Sequence, residues 1–424
     1  MPSVIVVGGG IAGLVAARDL AAGGMTVTVL EATGSLGGKV ARHTVGGLAL
    51  DAGAESFATR RGTVATLAAE LGLGGMIVLP NPVGAWLQLA TGGALPLPRT
   101  GLLGIPGTPL AADVIAVVGL RSALRAQMDE LMPASLGSRE RTLGALVRRR
   151  MGAGVLDKLV TPVVMGIHSR HPDELDVDVV APGLRRALLG SGSLAHAVLR
   201  LRDAAPAGTA VSGLIGGIFE LVDALAVDLR DRGANIRAGT AVAAVDARGV
   251  TLASGGRLDA DRVVLAATLG AAPPASIVLA TLVIDEPALD AAPRGTGLLV
   301  APGAPGIRAK ALTHGTAKWT WLAARAGAHR HVVRLSYDGS TVETLADGEL
   351  RRQAVADAAA LLGVSIHPAS VVDFASVGWS PAPTASEPIA GVTVVGESVA
   401  GTGLAGVIAH ARAQAERLLQ GVEA

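Results

Sequence analysis

Three features of the 424-residue sequence predict an α/β chain with an α+β second part. An apolar run, Val4 to Val7, ends in a glycine turn and passes directly into a helical pattern. Strand and helix signals then alternate through about residue 80. Beyond that point helix-rich and strand-rich blocks separate along the chain, which marks α+β construction. At about 100–200 residues per domain, the length allows two or three domains.

The glycine turn is the first element. Gly8-Gly9-Gly10-Ile11-Ala12-Gly13 matches G-x-G-x-x-G after a buried strand. Gly8 permits the tight turn, Gly10 lets the backbone approach a pyrophosphate, and Gly13 lets the helix pack close to the strand. The helix runs to about Ala22, and its N-terminal amides face the phosphates. A second strand, "MTVTVL", follows and ends at Glu31, an acid placed for the ribose hydroxyls of an adenosine. Strand, helix, strand and acid in this order predict a Rossmann-like dinucleotide-binding start. Further on, Gly37-Gly38-Lys39 supplies a second close-approach turn and a cation for the pyrophosphate. A Gly-rich surface turn with a solvated Lys is the plainer reading of that piece.

Composition removes several functions. Lys plus Arg number 36 and Asp plus Glu 35, a balance that gives no reason to expect nucleic acid as a partner. The absence of cysteine excludes disulfides, thiolate metal sites, cysteine nucleophiles and a cysteinyl-linked flavin. Aromatic residues are four Trp, one Tyr and three Phe, so the core is built of Ala, Val, Leu and Ile. The N-terminal apolar run lacks a basic leader, which argues against a signal peptide and for a cytoplasmic chain. The uncharged stretch Val263 to Ile284 is long enough to suggest a membrane span. Pro273 and Pro274 at its middle would break a helix, so it reads as two buried strands joined by a Pro turn.

The stretches "VVGGGIAGL", "LEA" and "LGGK" resemble the FAD-binding start of the flavin amine oxidase superfamily. Five further stretches are similar to the protoporphyrinogen and coproporphyrinogen oxidases: "DAGAESFATRR", "GGALPLPRTGLLGIPGTP", "LVTPVVMGIHSRHPDELDVDVVAPGL", "GLIGGIFELVDALAVDL" and the Lys-Trp strand "ALTHGTAKWTW". The likeness runs with gaps along nearly the whole chain. Two departures stand near its end. The family's Pro-Gln-Tyr stretch and His are missing from "VGWSPAPTASEPIAGVTVVGES", and Val399-Ala400-Gly401 replaces an aromatic-Gly pair.

The resemblance implies a discontinuous Rossmann-like FAD-binding domain, a mixed-sheet substrate domain and a helical insert. The FAD-binding parts are 1–80, 209–268 and 379–424; the substrate parts are 81–97 and 269–378; the insert is 98–208. The family uses such an insert as a helical cap that can make peripheral contact with a membrane. Within these blocks, "LAADVIAVVGLRSALRAQMDEL" and "SRERTLGALVRRRM" show helical spacing. "GGIFELVDALAVDLRDRG" reads as a helix stopped by Gly233, and "TAVAAVDA", "GVTLAS" and "GGRLDADRVVLAAT" as a strand meander. "DGELRRQAVADAAALLG" reads as a helix, and the chain closes with a helix from about Leu404.

FAD is the implied cofactor, with a tetrapyrrole and oxygen as small-molecule partners. Carried onto this sequence, the family pattern assigns the cofactor to Gly8, Gly9, Gly10, Ile11, Ala12, Gly13, Glu31, Ala32, Gly38 and Lys39. It adds Gly53, Ala54, Glu55 and Ser56, then Val242 through its backbone, and Trp379. Gly396, Glu397, Gly403, Leu404, Ala405 and Gly406 complete it, with the closing helix's N-terminus favouring negative charge on reduced flavin. Gly166 and Ile167 fall where the family lines its substrate cavity, and Lys318 could pair with a propionate or simply be solvated.

The implied reaction removes six electrons from a porphyrinogen in three two-electron steps, with oxygen reoxidising the flavin. Coproporphyrinogen carries four propionates and protoporphyrinogen two; Arg60, Arg61, Arg99 and Lys318 are the cations considered for them. An amine oxidase or desaturase-like enzyme remains an alternative, as does an FAD-binding paralogue without turnover. Plainer readings hold for three other groups. His168 and His171 lack a common helical face because of Pro172, His329 and His331 alternate along one strand, and Arg148-Arg149-Arg150 reads as a solvated run. No metal site and no protein acid or base is assigned.

Overall fold

The computed structural model describes residues 1–59, 62–99, 101–203, 211–270, 274–380 and 389–421. The chain divides into two compact units. One comprises residues 1–80, 210–276 and 377–424, the other residues 81–209 and 277–376.

The first unit is built on a parallel sheet. Its strand order is Asn235–Arg237, Thr26–Leu30, Ser3–Val7, Arg262–Leu265, Val392–Val394. Every neighbouring pair is parallel. Such a sheet must be covered on both faces, and the alternation of Ser3–Val7 shows how. Val4 and Val6 enter a core with the helices Ile11–Ala22, Glu220–Asp231 and Leu404–Leu419. Ile5 and Val7 enter a second core on the opposite face, under Val242, Val245, Val250, Leu252 and Leu258. Full burial of each such aliphatic side chain contributes about 1.5–3 kcal/mol.

The covering element on that opposite face is the antiparallel meander Val242–Asp246, Gly249–Leu252, Arg257–Asp259. The last strand read into the meander departs from it. Arg262–Leu265 pairs in parallel with Val4–Val7 instead, because its Val263–Leu265 run is buried on both faces. The other expected end of the uncharged stretch is a second strand, Ile277–Asp285. Pro273, assigned to the turn between them, lies outside the described residues, as do Arg60, Arg61 and residues 381–388.

The second unit carries a mixed sheet of seven strands. Their order is Val371–Trp379, Ile277–Asp285, Arg330–Asp338, Ala311–His314, Gly297–Val300, Trp86–Gln88, Ala94–Pro96. Gly297–Val300 runs parallel to Trp86–Gln88. The helix Asp347–Leu362 contributes Leu350, Ala354, Ala358 and Leu361 to one core of this unit, with Leu282, Leu298, Leu312 and Leu335 from the strands. A separate core holds the helical segment: Val114, Leu143, Leu146, Leu159, Val164, Leu188 and Val198 pack together with Leu87.

One sequence reading of the helical segment gains a detail and one is corrected. The pattern from Leu110 to Leu131 is broken at Gly119, whose φ of +84° separates the helices Ala112–Val118 and Leu120–Gln127. The Arg148-Arg149-Arg150 run is not a solvated face throughout. Three consecutive residues sweep most of a helical turn, and Arg150 falls on the inward face beside Leu146 and Val147. It is fully buried in an ion pair with the equally buried Asp129. Its remaining donors reach the carbonyls of Pro133 at 2.7 Å, Asp129 at 3.0 Å and Gly192 at 2.9 Å. Asp129 also accepts from the Ala195 amide at 3.0 Å. Arg148 pairs with Asp173 at 2.8 Å. Among the described residues, no helix is long and apolar enough to cross a membrane.

Candidate cofactor and substrate site

The glycine turn leads from Val7 into the helix Ile11–Ala22, which is capped by Gly10 and has no side-chain cap and no acid in its first turn. Its first amides therefore keep their unpaired, electropositive character. The glycines differ in what holds them. Gly8 has φ +110°. A Cβ on Gly13 would stand 2.0 Å from the Gly8 carbonyl oxygen. Both are demanded by the chain's own packing. Gly10 has an ordinary φ of −74°, and a Cβ there would meet nothing within 4 Å. The protein's packing gives no reason for glycine at Gly10; a ligand lying close to its backbone does.

The other predicted stretches of the first unit gather around this turn through a chain of contacts. Glu31 accepts from the Gly9 amide at 2.7 Å. Its second oxygen accepts from the Thr33 amide and hydroxyl, both at 2.8 Å. Three donors thus occupy a carboxylate that offers about four acceptor positions, so Glu31 shapes the turn and retains capacity for one more hydroxyl. The loop carrying Ala32 is tied to the strand of Val242: the Gly239 and Thr240 amides donate to Thr33 and Glu31 carbonyls, both at 2.7 Å. Val242 opens its strand opposite Leu252, with a bulge before Ala244.

The second glycine pair lies against the first. The Gly37 amide donates to the Gly9 carbonyl at 2.8 Å, and a Cβ on Gly38 would lie 3.7 Å from the Gly10 Cα. Gly53 is held by the same loop, since its Cβ would come 2.2 Å from the Lys39 carbonyl oxygen. The Ala54 amide donates to that oxygen at 3.0 Å. Glu55 and Ser56 continue this half-buried loop. Trp379 donates its indole N–H to the Ala52 carbonyl at 3.1 Å, which sets the ring beside Gly53.

Two findings were not legible beforehand. The Lys39 ammonium is ion-paired with the Glu397 carboxylate, so two residues assigned separately to the cofactor form one unit. Gly396, at φ +110°, brings that segment over the glycine-turn helix, where a Cβ would lie 3.7 Å from the Ala12 Cβ. Gly403 caps the helix Leu404–Leu419 at φ +109° without a side-chain cap and without an acid in the first turn. Leu404 and Ala405 pack on the core that holds Ile11 and Ala12, while Gly406 is exposed. The first unit therefore presents two uncapped helix N-termini and four glycine-rich or half-buried loops. That donor set suits a diphosphate joined to a planar ring system that becomes anionic on reduction.

In the second unit, Gly166 and Ile167 lie in the last turn of the helix Thr161–His168. A Cβ on Gly166 would meet the Leu299 Cδ2 at 2.3 Å, so this helix approaches the sheet as closely as it does because residue 166 is glycine. Ile167 is 58 % exposed. Lys318 does not lie on a strand. The strand Ala311–His314 ends before it, and Lys318 closes the helical turn Gly315–Lys318. Gly315 starts that turn under Leu322 and Val332. The Lys318 ammonium stands 5.1 Å from the centre of the Trp319 ring. Arg99 donates its amide to Asp113 at 3.2 Å.

The histidines resolve differently. His171 accepts from the Asp173 amide at 3.2 Å, and burial holds His168 below the usual imidazole range. His329 precedes the strand Arg330–Asp338 at φ +60° rather than lying in it, yet it and His331 both reach Asp290, at 2.7 and 3.0 Å. His331 continues inward to His314 at 3.1 Å, a fully buried residue not singled out by the sequence analysis. Among the described residues, no group of three or more such side chains could hold a metal ion.

Comparison with known proteins bears on this assembly. The family described as flavin containing amine oxidoreductase matches residues 11–419. The coproporphyrinogen III oxidase of Propionibacterium freudenreichii is 29% identical over 353 residues, covering 71% of this chain and 67% of the relative. That of Mycobacterium leprae is 30% identical over 406 residues, covering 87% and 85%. A solved structure from Exiguobacterium sp. shares the fold with TM-score 0.82 over 99% of both chains at 24% identity. The cyclohexylamine oxidase of Brevibacterium oxydans shares it with TM-score 0.65 over 99% of both chains at 16% identity.

Proposed function

We propose, from the premise that the chain belongs to the family of flavin containing amine oxidoreductases and is an FAD-dependent oxidoreductase, that it oxidises a porphyrinogen, coproporphyrinogen III before protoporphyrinogen, with oxygen as the acceptor. The observation that carries this reading is the likeness, over most of both chains, to relatives named coproporphyrinogen III oxidase.

Bound FAD supplies the two-electron acceptor, and the chain's residues supply position and charge. The glycine turn Gly8–Gly13 and the first amides of its helix hold the diphosphate. Glu31 takes a ribose hydroxyl with its remaining acceptor position. The Val242 backbone borders the adenine. Lys39 and Glu397 are paired, so that the charge they present to the cofactor is balanced. Gly53–Ser56, Trp379 and the N-terminus of Leu404–Leu419 serve the flavin end, where that helix end favours the anion by about 0.3–1 kcal/mol.

Gly166 and Ile167 form an apolar wall for the tetrapyrrole. Lys318 and Arg99, both of the second unit, are the cations proposed for its carboxylates. No side chain is required to act as nucleophile. The domain assignment proposed with this reading gives residues 1–80, 209–268 and 379–424 to FAD, and residues 98–208 to a helical cap.

The test is porphyrin fluorescence in air and darkness, with coproporphyrinogen III, protoporphyrinogen and a simple amine offered separately against protein-free controls. A flavin-dependent rise that is fastest with coproporphyrinogen III supports the proposal. Peroxide release with the amine and no porphyrin overturns it in favour of an amine oxidase. Full flavin loading without turnover of any of the three overturns it in favour of a binding paralogue.

A further inference from the structure

The end of the helix Thr161–His168 is held by a residue that no motif marks. The helix stops in Ser169, a non-glycine residue at φ +52°, where an L-residue is sterically disfavoured. The Ser169 amide closes the turn on the Met165 carbonyl at 2.9 Å. Its hydroxyl accepts from the Lys310 ammonium at 3.0 Å. Lys310 also donates to Asp338 at 2.6 Å, and its side chain is only 9% exposed. A buried ammonium is costly unless it is paired and hydrogen-bonded, so this lysine is held by Asp338 on one side and by Ser169 on the other.

The sheet therefore grips the helix end at two points. Leu299, on the strand Gly297–Val300, lies under Gly166. Lys310, immediately before the strand Ala311–His314, reaches Ser169. Ile167 stands between the two grips and projects outward as one of the exposed large apolar residues of the chain. A backbone outlier held by its surroundings points toward function, and here the outlier directly follows the two residues assigned to the substrate wall.

We propose that Lys310 is a positioning residue for substrate: through Ser169 it fixes the Gly166–Ile167 end of the helix and so sets the affinity for the tetrapyrrole ring. This rests on the porphyrinogen reading for the identity of the substrate, and on the contacts of Lys310 and Leu299 for the grip. Lys310 acts in this proposal through Ser169 and not on the reacting atoms, so its loss should act on KM and leave kcat within about twofold.

The experiment compares Lys310→Met, Lys310→Arg and Ser169→Ala in the FAD-loaded protein, with Asp338→Asn as a control for the other half of the network. Amide hydrogen exchange across residues 163–171 needs no substrate and reads the grip directly. Loss of a charge-assisted bond predicts exchange faster by roughly tenfold or more in Lys310→Met and Ser169→Ala. Lys310→Met combined with Ser169→Ala should be no faster than Lys310→Met alone, because the Lys310–Ser169 bond is already lost in it. Lys310→Arg should restore protection. Steady-state kinetics with coproporphyrinogen should show KM raised severalfold in the first two variants and recovered in Lys310→Arg. Unchanged exchange, or kcat falling with KM constant, overturns the inference. If the unaltered protein fails to oxidise any porphyrinogen while the exchange pattern appears as stated, the functional reading falls and the grip stands.

Discussion

Acidification should weaken the second unit through His314. This imidazole is fully buried on the strand Ala311–His314, and burial together with the neighbouring His331 pushes it down to about 4. Asp290 accepts from His331 Nε2, so neutral His331 presents Nδ1 as an acceptor to His314 Nε2–H, with the Thr316 hydroxyl 3.2 Å from the same nitrogen. The remaining nitrogen of His314, Nδ1, is buried without a hydrogen-bond partner among the described residues. A proton added there would find no acceptor.

The folded value lies below the unfolded one, so on acidification the unfolded chain takes up the proton first. The contribution of His314 is present above about pH 6.5 and drains as pH falls through about 4. A shift from 6.5 to about 4 is worth roughly 3 kcal/mol when fully expressed. Of that, roughly 2 kcal/mol is lost between about pH 7 and pH 5. His331, also lowered by burial, adds in the same direction. The variant His314→Gln keeps a donor toward His331 but cannot titrate. Urea unfolding followed by tryptophan fluorescence suits the comparison, since Trp86, Trp319 and Trp321 all belong to the second unit. The pH 7 to pH 5 loss should be smaller in His314→Gln by about 2 kcal/mol. Equal losses in both proteins, or an imidazole resonance of His314 titrating near the ordinary value, would refute the reasoning.

Three further outcomes follow from packing. Gly13→Ala forces a Cβ to within 2.0 Å of backbone and should abolish FAD loading together with much of the stability of the first unit. Gly10→Ala meets nothing within 4 Å; the apoprotein should stay within about 1 kcal/mol of the original while FAD affinity, measured by flavin fluorescence quenching, drops roughly tenfold or more. Arg150→Met leaves Asp129 buried without its partner and should cost about 3–5 kcal/mol, read as a lowered urea midpoint; the double change Arg150→Met with Asp129→Leu should recover much of that loss.

The parallel sheet, the glycine turn and the closing helix were legible because each rests on local pattern. Ser3–Val7 alternates between two cores, and Ile11–Ala22 starts where the glycines end. What stayed hidden depends on partners far along the chain. Glu31 was read as a ribose acid, but its bond to the Gly9 amide is a tertiary fact. The Lys39–Glu397 pair spans most of the sequence. Arg150 could not be told from its neighbours in a three-arginine run until the face of its helix was known. Lys318 was placed on a strand by the likeness of "ALTHGTAKWTW" to the family's Lys-Trp strand, whereas the chain turns into the helical segment Gly315–Lys318. Lys310 lies outside the family-like stretches and His314 is passed over within "ALTHGTAKWTW"; burial gives both their roles.

The most direct measurement of the central claim is anaerobic mixing of the FAD-loaded protein with coproporphyrinogen III, following the long-wavelength absorption of oxidised flavin. The account predicts that this absorption is lost in a rapid phase whose rate saturates with substrate, that porphyrin appears in step with it, and that admitting air restores the flavin. Flavin that stays oxidised under coproporphyrinogen III yet is bleached by an amine would contradict the account.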